Sequence, residues 1–504
     1  MLQRQLLQRL TLATKAIIKE KHNLLLTNKG PSFEQFLLQN NLNTNTIKNG
    51  NGIKYSVQVY GCQMNVNDTE VFHSIMKSND YKLVDDHEES KYVFLMTCAI
   101  RENAESKIWQ KIVLLRNKNK KIGVLGCMAE HLREKLLKEV DLIAGPDAYK
   151  SVPLLINALE MNENINGIGN VQLSTEETYA DITPVRIHPN SKSAFISITR
   201  GCNNMCSFCI VPYTRGIERS RPIVSILDEV QRLRDSGIKE ITLLGQNVNS
   251  YRDTSSREVF SHTMSPGFNS IYSVKEQGRR FVDLLEKASF VAPKVRFRFV
   301  SPHPKDFPME LLQLIKTRDN ICKQIHLPLQ SGNTDVLKRM RRGYSKEAYL
   351  DLALKIRTMI PSASISTDII VGFCGENDFD FEDTLEVVKT IKFEVAYMYA
   401  YSMRPKTHAF HNFEDDVPEL EKKFRLQKLI ELFHQNSKIS LSRFINTTQH
   451  VLVEGKGKRE NQFKGKSDLG ISTHFTSDSP LDQGTVVPVR IVGNSSVSFE
   501  SVMI

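Results

Sequence analysis

The sequence predicts an α/β chain in three parts: an N-terminal parallel sheet with helices, a central open (β/α)6 part-barrel, and a small C-terminal β-barrel. Three observations carry this. Between residues 53 and 160, short apolar runs that end in cysteine alternate with helical stretches. Between 188 and 440, six further β-rich runs alternate with amphipathic stretches. Residues 441–504 carry short strands split by Gly and Lys turns.

With 504 residues the chain has room for about two to four domains. Eight cysteines in this length are far too sparse for a disulfide scaffold and indicate a reducing compartment. The formal charge of +10 and a pI near 9.0 point to a polyanionic partner, nucleic acid first. There is no apolar run of about 18 residues or more, so no membrane span is expected.

Residues 1–52 read as a basic presequence and flexible linker. Arg4, Arg9, Lys15, Lys19, Lys21 and Lys29 stand against one acid, Glu20, while Leu2, Leu6, Leu10, Ile17 and Ile18 recur as on one helical face. That is the pattern of an organellar transit peptide. A basic tail or surface helix, with a cytosolic or nuclear pool, is the alternative.

In residues 53–160 one pattern occurs three times. "KYSVQVYGC", "KYVFLMTC" and "KIGVLGC" each place a cysteine after an apolar β-rich run: Cys62, Cys98 and Cys127. A helical stretch follows each, so the strands should lie parallel, with their carboxyl ends along one edge where ligands bind. Buried cysteines that merely pack are the bland alternative. Gly61 and Gly126 beside them favour close approach of a bound group, and three thiolates meeting at one edge suit an iron-sulfur cluster with three protein ligands. Residues 161–187 read as a linker.

The part-barrel, 188–440, has candidate strands "AFISIT", "EITLLG", "VRFRFV", "QIHLPL", "SISTDIIV" and "VAYMYA". Six units are too few to close an eight-stranded barrel. Just beyond the first strand, "TRGCNNMCSFCIVPYTRG" carries Cys202, Cys206 and Cys209 with no histidine nearby. Tetrahedral zinc wants four ligands. Three thiolates on a four-iron cube leave one iron open for a cofactor. A zinc knuckle short of one ligand is the weaker alternative.

This cysteine motif, with Phe208 before its last cysteine, resembles that of the radical S-adenosylmethionine (SAM) enzymes. Together with "YGCQMNVNDTE", "TCAIRENAE", "GCMAE" and "VPYTRGIERSRP", it resembles the radical SAM methylthiotransferases, from about residue 54 to the C-terminus. "YGCQMN" and "RGCNNMCSFCIVPYTRG" are similar to the MiaB-type branch acting on isopentenyladenosine in tRNA. "GIERSRP", "SPHPKDFP", "YSMRPKTHAF" and an inserted loop near 252–278 are closest to its eukaryotic mitochondrial members, which are named for an association with an activator of a cyclin-dependent kinase.

The resemblance implies two [4Fe-4S] clusters and SAM as cofactors. Cys202, Cys206 and Cys209 would hold the SAM-cleaving cluster, and Cys62, Cys98 and Cys127 the auxiliary cluster that offers sulfur. SAM contacts are expected at other strand ends: Phe208, Gly245, Gln246, Asn247, Gln330, Ser331, Gly372 and Glu376. Cys322 and Cys374 are expected in the core. RNA phosphates are expected at Arg215, Arg219, Arg221, Arg339, Arg341 and Arg342. The C-terminal segment resembles the RNA-binding TRAM domain, with Lys456, Lys458, Arg459, Lys464 and Lys466 toward the backbone.

The implied reaction replaces the C2 hydrogen of isopentenyladenosine at position 37, beside the anticodon, by a methylthio group. The expected partners are the tRNA anticodon loop, an electron donor and a sulfur source of unnamed identity, with a kinase-activator protein as a further candidate. The chain is expected to act as a monomer away from membranes. Two alternatives stay open: a methylthiotransferase for threonylcarbamoyladenosine or a ribosomal protein side chain, and a non-enzymatic regulator that binds a kinase activator.

Overall fold

The strand Lys54–Tyr60, with β-branched Val57 and Val59, is followed by the helix Gln63–Ser78, which returns the chain to the short strand Lys82–Leu83 and then to Tyr92–Thr97, both parallel to it. The architecture comes from a computed structural model that describes residues 24–26, 50–99, 102–161, 167–255, 267–269 and 277–504. The presequence expected over 1–52 lies outside these residues apart from 24–26 and 50–52, as does most of the inserted loop near 252–278. The chain divides into two compact units, residues 1–187 with 210–219, and 188–209 with 220–504.

The first unit is built on a seven-stranded, all-parallel sheet. Its order is 24–26, 168–170, 142–144, 121–126, 92–97, 54–60 and 82–83. The three strands read from the sequence lie side by side in it, and Tyr60, Thr97 and Gly126 form one row at their carboxyl ends. Tyr92–Thr97 is buried along its whole length, as expected of a central strand with both faces covered. One face packs Phe72, Phe94, Tyr149 and Leu155; the other packs Val93, Ile112, Val124 and Leu136.

The stretch 161–187, read in the sequence as a linker, instead contributes the buried strand Ile168–Asn170, and Leu24–Leu26 pairs with it. In the same unit His73 is buried, with Nδ1 within 3.0 Å of the Tyr55 hydroxyl. Burial pulls its pKa down to about 4. The neutral ring therefore contributes stability fully present above the unfolded value of about 6.5 and lost as pH falls toward 4, about 3 kcal/mol in all. Urea unfolding of the parent and of His73→Gln, followed by Trp109, should show that difference open between pH 6.5 and 4 and stay level above.

The second unit contains all six expected barrel strands, at 193–197, 240–244, 296–299, 324–326, 364–371 and 395–400. They are parallel and sequential, in two three-stranded sheets joined through a parallel bridge from Phe297 to Ile321. One large apolar cluster, including Ile196, Ile241, Phe297, Ile325 and Ile369, packs them against the intervening helices. Cys322 and Cys374 are buried, as expected of core thiols.

The helix Glu419–Ser442 leads into a closed five-stranded barrel, in the order 448–456, 462–467, 472–476, 498–503 and 486–494. Phe444, Val451, Phe463, Phe475, Ile491 and Phe499 fill it. Its 466–471 segment is pinned to the amino-terminal ends of the part-barrel strands. Buried Arg298 donates to the Ser467 and Asp468 carbonyls at 2.7 and 3.0 Å and to Glu240 at 2.9 Å, and Ser364 donates to the Leu469 carbonyl. The opposite hairpin, around 457–461, is free of that anchorage.

Candidate active site: two cysteine triads

In the first unit, Cys98 and Cys127 directly follow the row Thr97 and Gly126, and Cys62 stands two residues after Tyr60. Adjacent parallel strands thus bring together thiols that are far apart in sequence. Gly126 is at φ +92°, and a Cβ there would meet the Thr97 carbonyl at 2.6 Å, so the turn into Cys127 requires glycine. Cys62 caps the helix Gln63–Ser78. Asn65, three residues on and fully buried, accepts from the Cys62 amide at 3.2 Å and donates to the Thr97 carbonyl at 3.1 Å. One side chain therefore ties two cysteine-bearing turns.

Arg215 closes the same site. Its Nε donates to the Cys127 sulfur at 3.2 Å and one terminal nitrogen donates to Asp68 at 2.7 Å, both residues being buried. The Tyr149 hydroxyl donates to the same Asp68 oxygen at 3.3 Å. The Cys62 thiol is pulled down to about 6, first by a hydrogen bond from Cys98 and then by the Arg215 charge, against some loss of solvation. Burial pushes the Cys127 thiol up, with Arg215 opposing. The second terminal nitrogen of Arg215 is buried without a protein partner.

In the second unit, Cys202, Cys206 and Cys209 lie in the loop after the strand pair 193–197 and 199–200, at the carboxyl end of the first barrel strand. The loop is anchored from several sides. The Ser207 amide donates to the Met340 carbonyl at 3.0 Å, its hydroxyl to the Arg339 carbonyl at 2.7 Å, and its carbonyl accepts from Ala409 at 2.7 Å. Phe208 packs on the cluster containing Val336, Met340 and Phe373. Arg342, buried, donates to the Cys206 sulfur at 3.2 Å and to the Tyr344 hydroxyl at 3.1 Å.

Several buried polar atoms at the carboxyl ends of the first three barrel strands lack a protein partner: Thr199 Oγ1, Gln246 Oε1 and His303 Nε2. A buried polar group without a partner is costly, so such a set fits a polar ligand. Gly245 keeps the cradle open, because a Cβ there would lie 2.1 Å from Thr199 Oγ1. His303 is held by Asn249, which accepts from its amide at 2.8 Å and donates to its carbonyl at 2.9 Å. Burial, then Arg342 and Lys305, push His303 well below the usual imidazole range, so the ring is neutral. Its Nδ1 accepts from the Lys305 amide at 3.3 Å, which leaves the proton on Nε2.

Of the other expected SAM contacts, Asn247, Ser331 and Glu376 have side chains engaged within the fold. Asn247 donates to Asp306 at 2.9 Å. Ser331 accepts from the Asn333 amide at 3.3 Å and lies 3.4 Å from the Thr384 hydroxyl. Glu376 accepts from the Gly372 amide at 2.7 Å and from Arg425 at 3.1 Å. Gln330, at φ +69°, bridges by its backbone to Asp368 and Ile370. Gly372 abuts Lys422.

The expected RNA contacts divide. Arg215, Arg219, Arg221 and Arg342 are buried and carry protein partners, Asp147 for Arg219 and Glu229 for Arg221 among them. That corrects their reading as phosphate contacts, because a guanidinium spent inside the fold is not presented to a backbone. Arg339 is engaged with Gly375 and Asp380. Arg341, Lys456, Lys458, Arg459 and Lys464 are exposed, the last four on the free hairpin of the small barrel. Lys466 is half-buried, its pKa lowered by burial and then by Arg298. Among the described residues no His, Cys, Asp or Glu side chains are grouped for a single metal ion.

A parallel part-barrel with this three-cysteine loop beyond its first strand defines a radical SAM protein. Residues 196–388 match the Radical SAM superfamily and residues 54–145 match Uncharacterized protein family UPF0004. The chain is 51% identical to a CDK5RAP1-like protein of Oryza sativa subsp. japonica, over 83% of this chain and 74% of that one. It is 46% identical to the mitochondrial tRNA methylthiotransferase CDK5RAP1 of Homo sapiens, over 84% and 75%. It is likewise 46% identical to the tRNA-2-methylthio-N(6)-dimethylallyladenosine synthase of Chloroherpeton thalassium, over 80% and 86%. The chain belongs to the methylthiotransferase family of these relatives. In fold it is similar to the radical SAM methyltransferase TsrM from Kitasatospora setae, with a TM-score of 0.50 at 14% identity over 71% of this chain and 75% of that one.

Proposed function

We propose that the chain is a tRNA methylthiotransferase that converts N6-isopentenyladenosine at position 37 to its 2-methylthio form in mitochondrial tRNAs. The observation that carries this is the gathering of six of the eight cysteines, three and three, at the carboxyl ends of parallel strands in two separate units. Two four-iron clusters and SAM, when bound, supply reductive SAM cleavage and a transferable sulfur. Cys202, Cys206 and Cys209 hold one cluster, and Cys62, Cys98 and Cys127 the other. Thr199, Gln246 and His303 would hold the polar groups of SAM, and the backbone at Gln330 and Gly372 would contribute.

The exposed hairpin with Lys456, Lys458, Arg459 and Lys464 takes the tRNA backbone, joined by Arg341. No helix among the described residues is long and apolar enough to cross a membrane. A monomeric state and a kinase-activator partner rest on the resemblance alone.

Nucleoside mass spectrometry of organellar tRNA from cells lacking the protein tests the reaction. Loss of the methylthio nucleoside with accumulation of isopentenyladenosine is expected; unchanged levels would sink the assignment. A quadruple Ala variant at Lys456, Lys458, Arg459 and Lys464 should weaken tRNA binding and flatten its log-log salt dependence by about 0.7 to 0.9 for each phosphate that is no longer neutralised. Filter binding across salt concentrations reads that slope.

A further inference from the structure

In each triad a buried arginine donates to one of the sulfurs, Arg215 to Cys127 and Arg342 to Cys206, both at 3.2 Å, yet these two arginines differ in charge balance. Arg215, on Cys127, is paired with the fully buried Asp68. Arg342, on Cys206, has as its other partners the Tyr344 hydroxyl and the Pro328 carbonyl at 3.3 Å, with no carboxylate among the described residues. It is nevertheless buried, 5% exposed. A buried cation without an anion is strongly destabilising. Arg342 therefore needs negative charge on the side where Cys206 lies, and the ligating thiolates with their cluster provide it.

A nearby cation favours the more negative, reduced form of such a group, and hydrogen bonds to its sulfurs act in the same direction. An arginine neutralised by a carboxylate retains the hydrogen bond but contributes no net charge. We propose that Arg342 is a positioning residue that makes the Cys202, Cys206 and Cys209 cluster the easier of the two to reduce, while Asp68 cancels Arg215 and keeps the Cys62, Cys98 and Cys127 cluster oxidised. A low-potential one-electron donor loses one electron and the cluster beside Arg342 gains it. No bond forms or breaks, and no proton moves. The arrangement directs the electron toward SAM and spares the sulfur store. This inference rests on the two-cluster reading given above.

The test uses full-length chains that each hold one cluster: Cys62→Ala/Cys98→Ala/Cys127→Ala for the SAM site, and Cys202→Ala/Cys206→Ala/Cys209→Ala for the other. Each is titrated anaerobically without SAM and followed by electron paramagnetic resonance. Arg342→Gln should make the SAM-site cluster at least about tenfold harder to reduce, about 59 mV for one electron. Arg342→Lys, which retains the charge, should shift it by less than half as much. Asp68→Asn should make the other cluster easier to reduce by a comparable factor.

A midpoint unmoved by Arg342→Gln at full iron content overturns the proposal, as does an equal shift for Gln and Lys, which would mark a purely structural role. If Arg342→Gln cannot hold iron, the decision passes to the other two variants: unmoved Asp68→Asn together with a full-size shift in Arg342→Lys overturns it. Absence of iron from both parent triple variants would instead defeat the two-cluster reading itself.

Discussion

Replacing Cys202, Cys206 and Cys209 by Ala is expected to abolish SAM cleavage and product formation together, whereas replacing Cys62, Cys98 and Cys127 should abolish the methylthio product but leave SAM cleavage running. The asymmetry follows from the placement of the triads in different units, with the partnerless polar atoms Thr199 Oγ1, Gln246 Oε1 and His303 Nε2 on the side of the second triad only. In each variant iron should fall by half, from about eight to about four per chain. Deoxyadenosine and methionine measured by chromatography report SAM cleavage, and nucleoside mass spectrometry reports product. Loss of SAM cleavage in the first-unit variant, with four irons retained, would mean that the triads do not divide the work this way. Product formed by the second-unit variant would defeat the mechanism outright.

The two triads were legible because each cysteine ends a β-rich run long enough to declare itself, as in "KYVFLMTC", and because the alternation with helices dictates parallel strands. The strands Lys82–Leu83, Leu142–Ala144 and Ile168–Asn170 are too short for any period to emerge, so a buried element of the sheet passed as linker. Arginines were the harder case. Sequence reports charge but not burial, and the partners Asp68 and Asp147 sit at distances along the chain that no local pattern links to Arg215 and Arg219. Asn247, Ser331 and Glu376 illustrate the same ambiguity, since the residue types that suit a ribose also close turns. Some signals were present and went unused. Asn65 and Asp68 follow Cys62 at helical spacing on one face, and His303 stands inside "SPHPKDFP", a motif noted for its resemblance but given no role.

Arg215→Ala is expected to be the most damaging single substitution outside the cysteines. It removes the cation from Asp68, whose side chain is fully buried, and the hydrogen bond from the Cys127 sulfur in one step. Breaking a buried pair from one side costs about 3–5 kcal/mol, since a neutral donor such as the Tyr149 hydroxyl replaces little of a guanidinium. The double variant Arg215→Met/Asp68→Asn removes both charges and should recover most of that stability, because the penalty belongs to the unpaired charge and not to the absence of the pair. Arg215→Lys should fall between them, retaining charge but losing the fork that reaches Asp68 and Cys127 at once. Trp109, the chain's single tryptophan, lies in the same unit and reports its unfolding in urea. If Arg215→Ala unfolds within about 1 kcal/mol of the parent, the pair behaves as a solvated one and the buried network beside Cys127 is wrong. If the double variant is as unstable as the single, packing by the arginine stem, and not charge, holds this end of the sheet together.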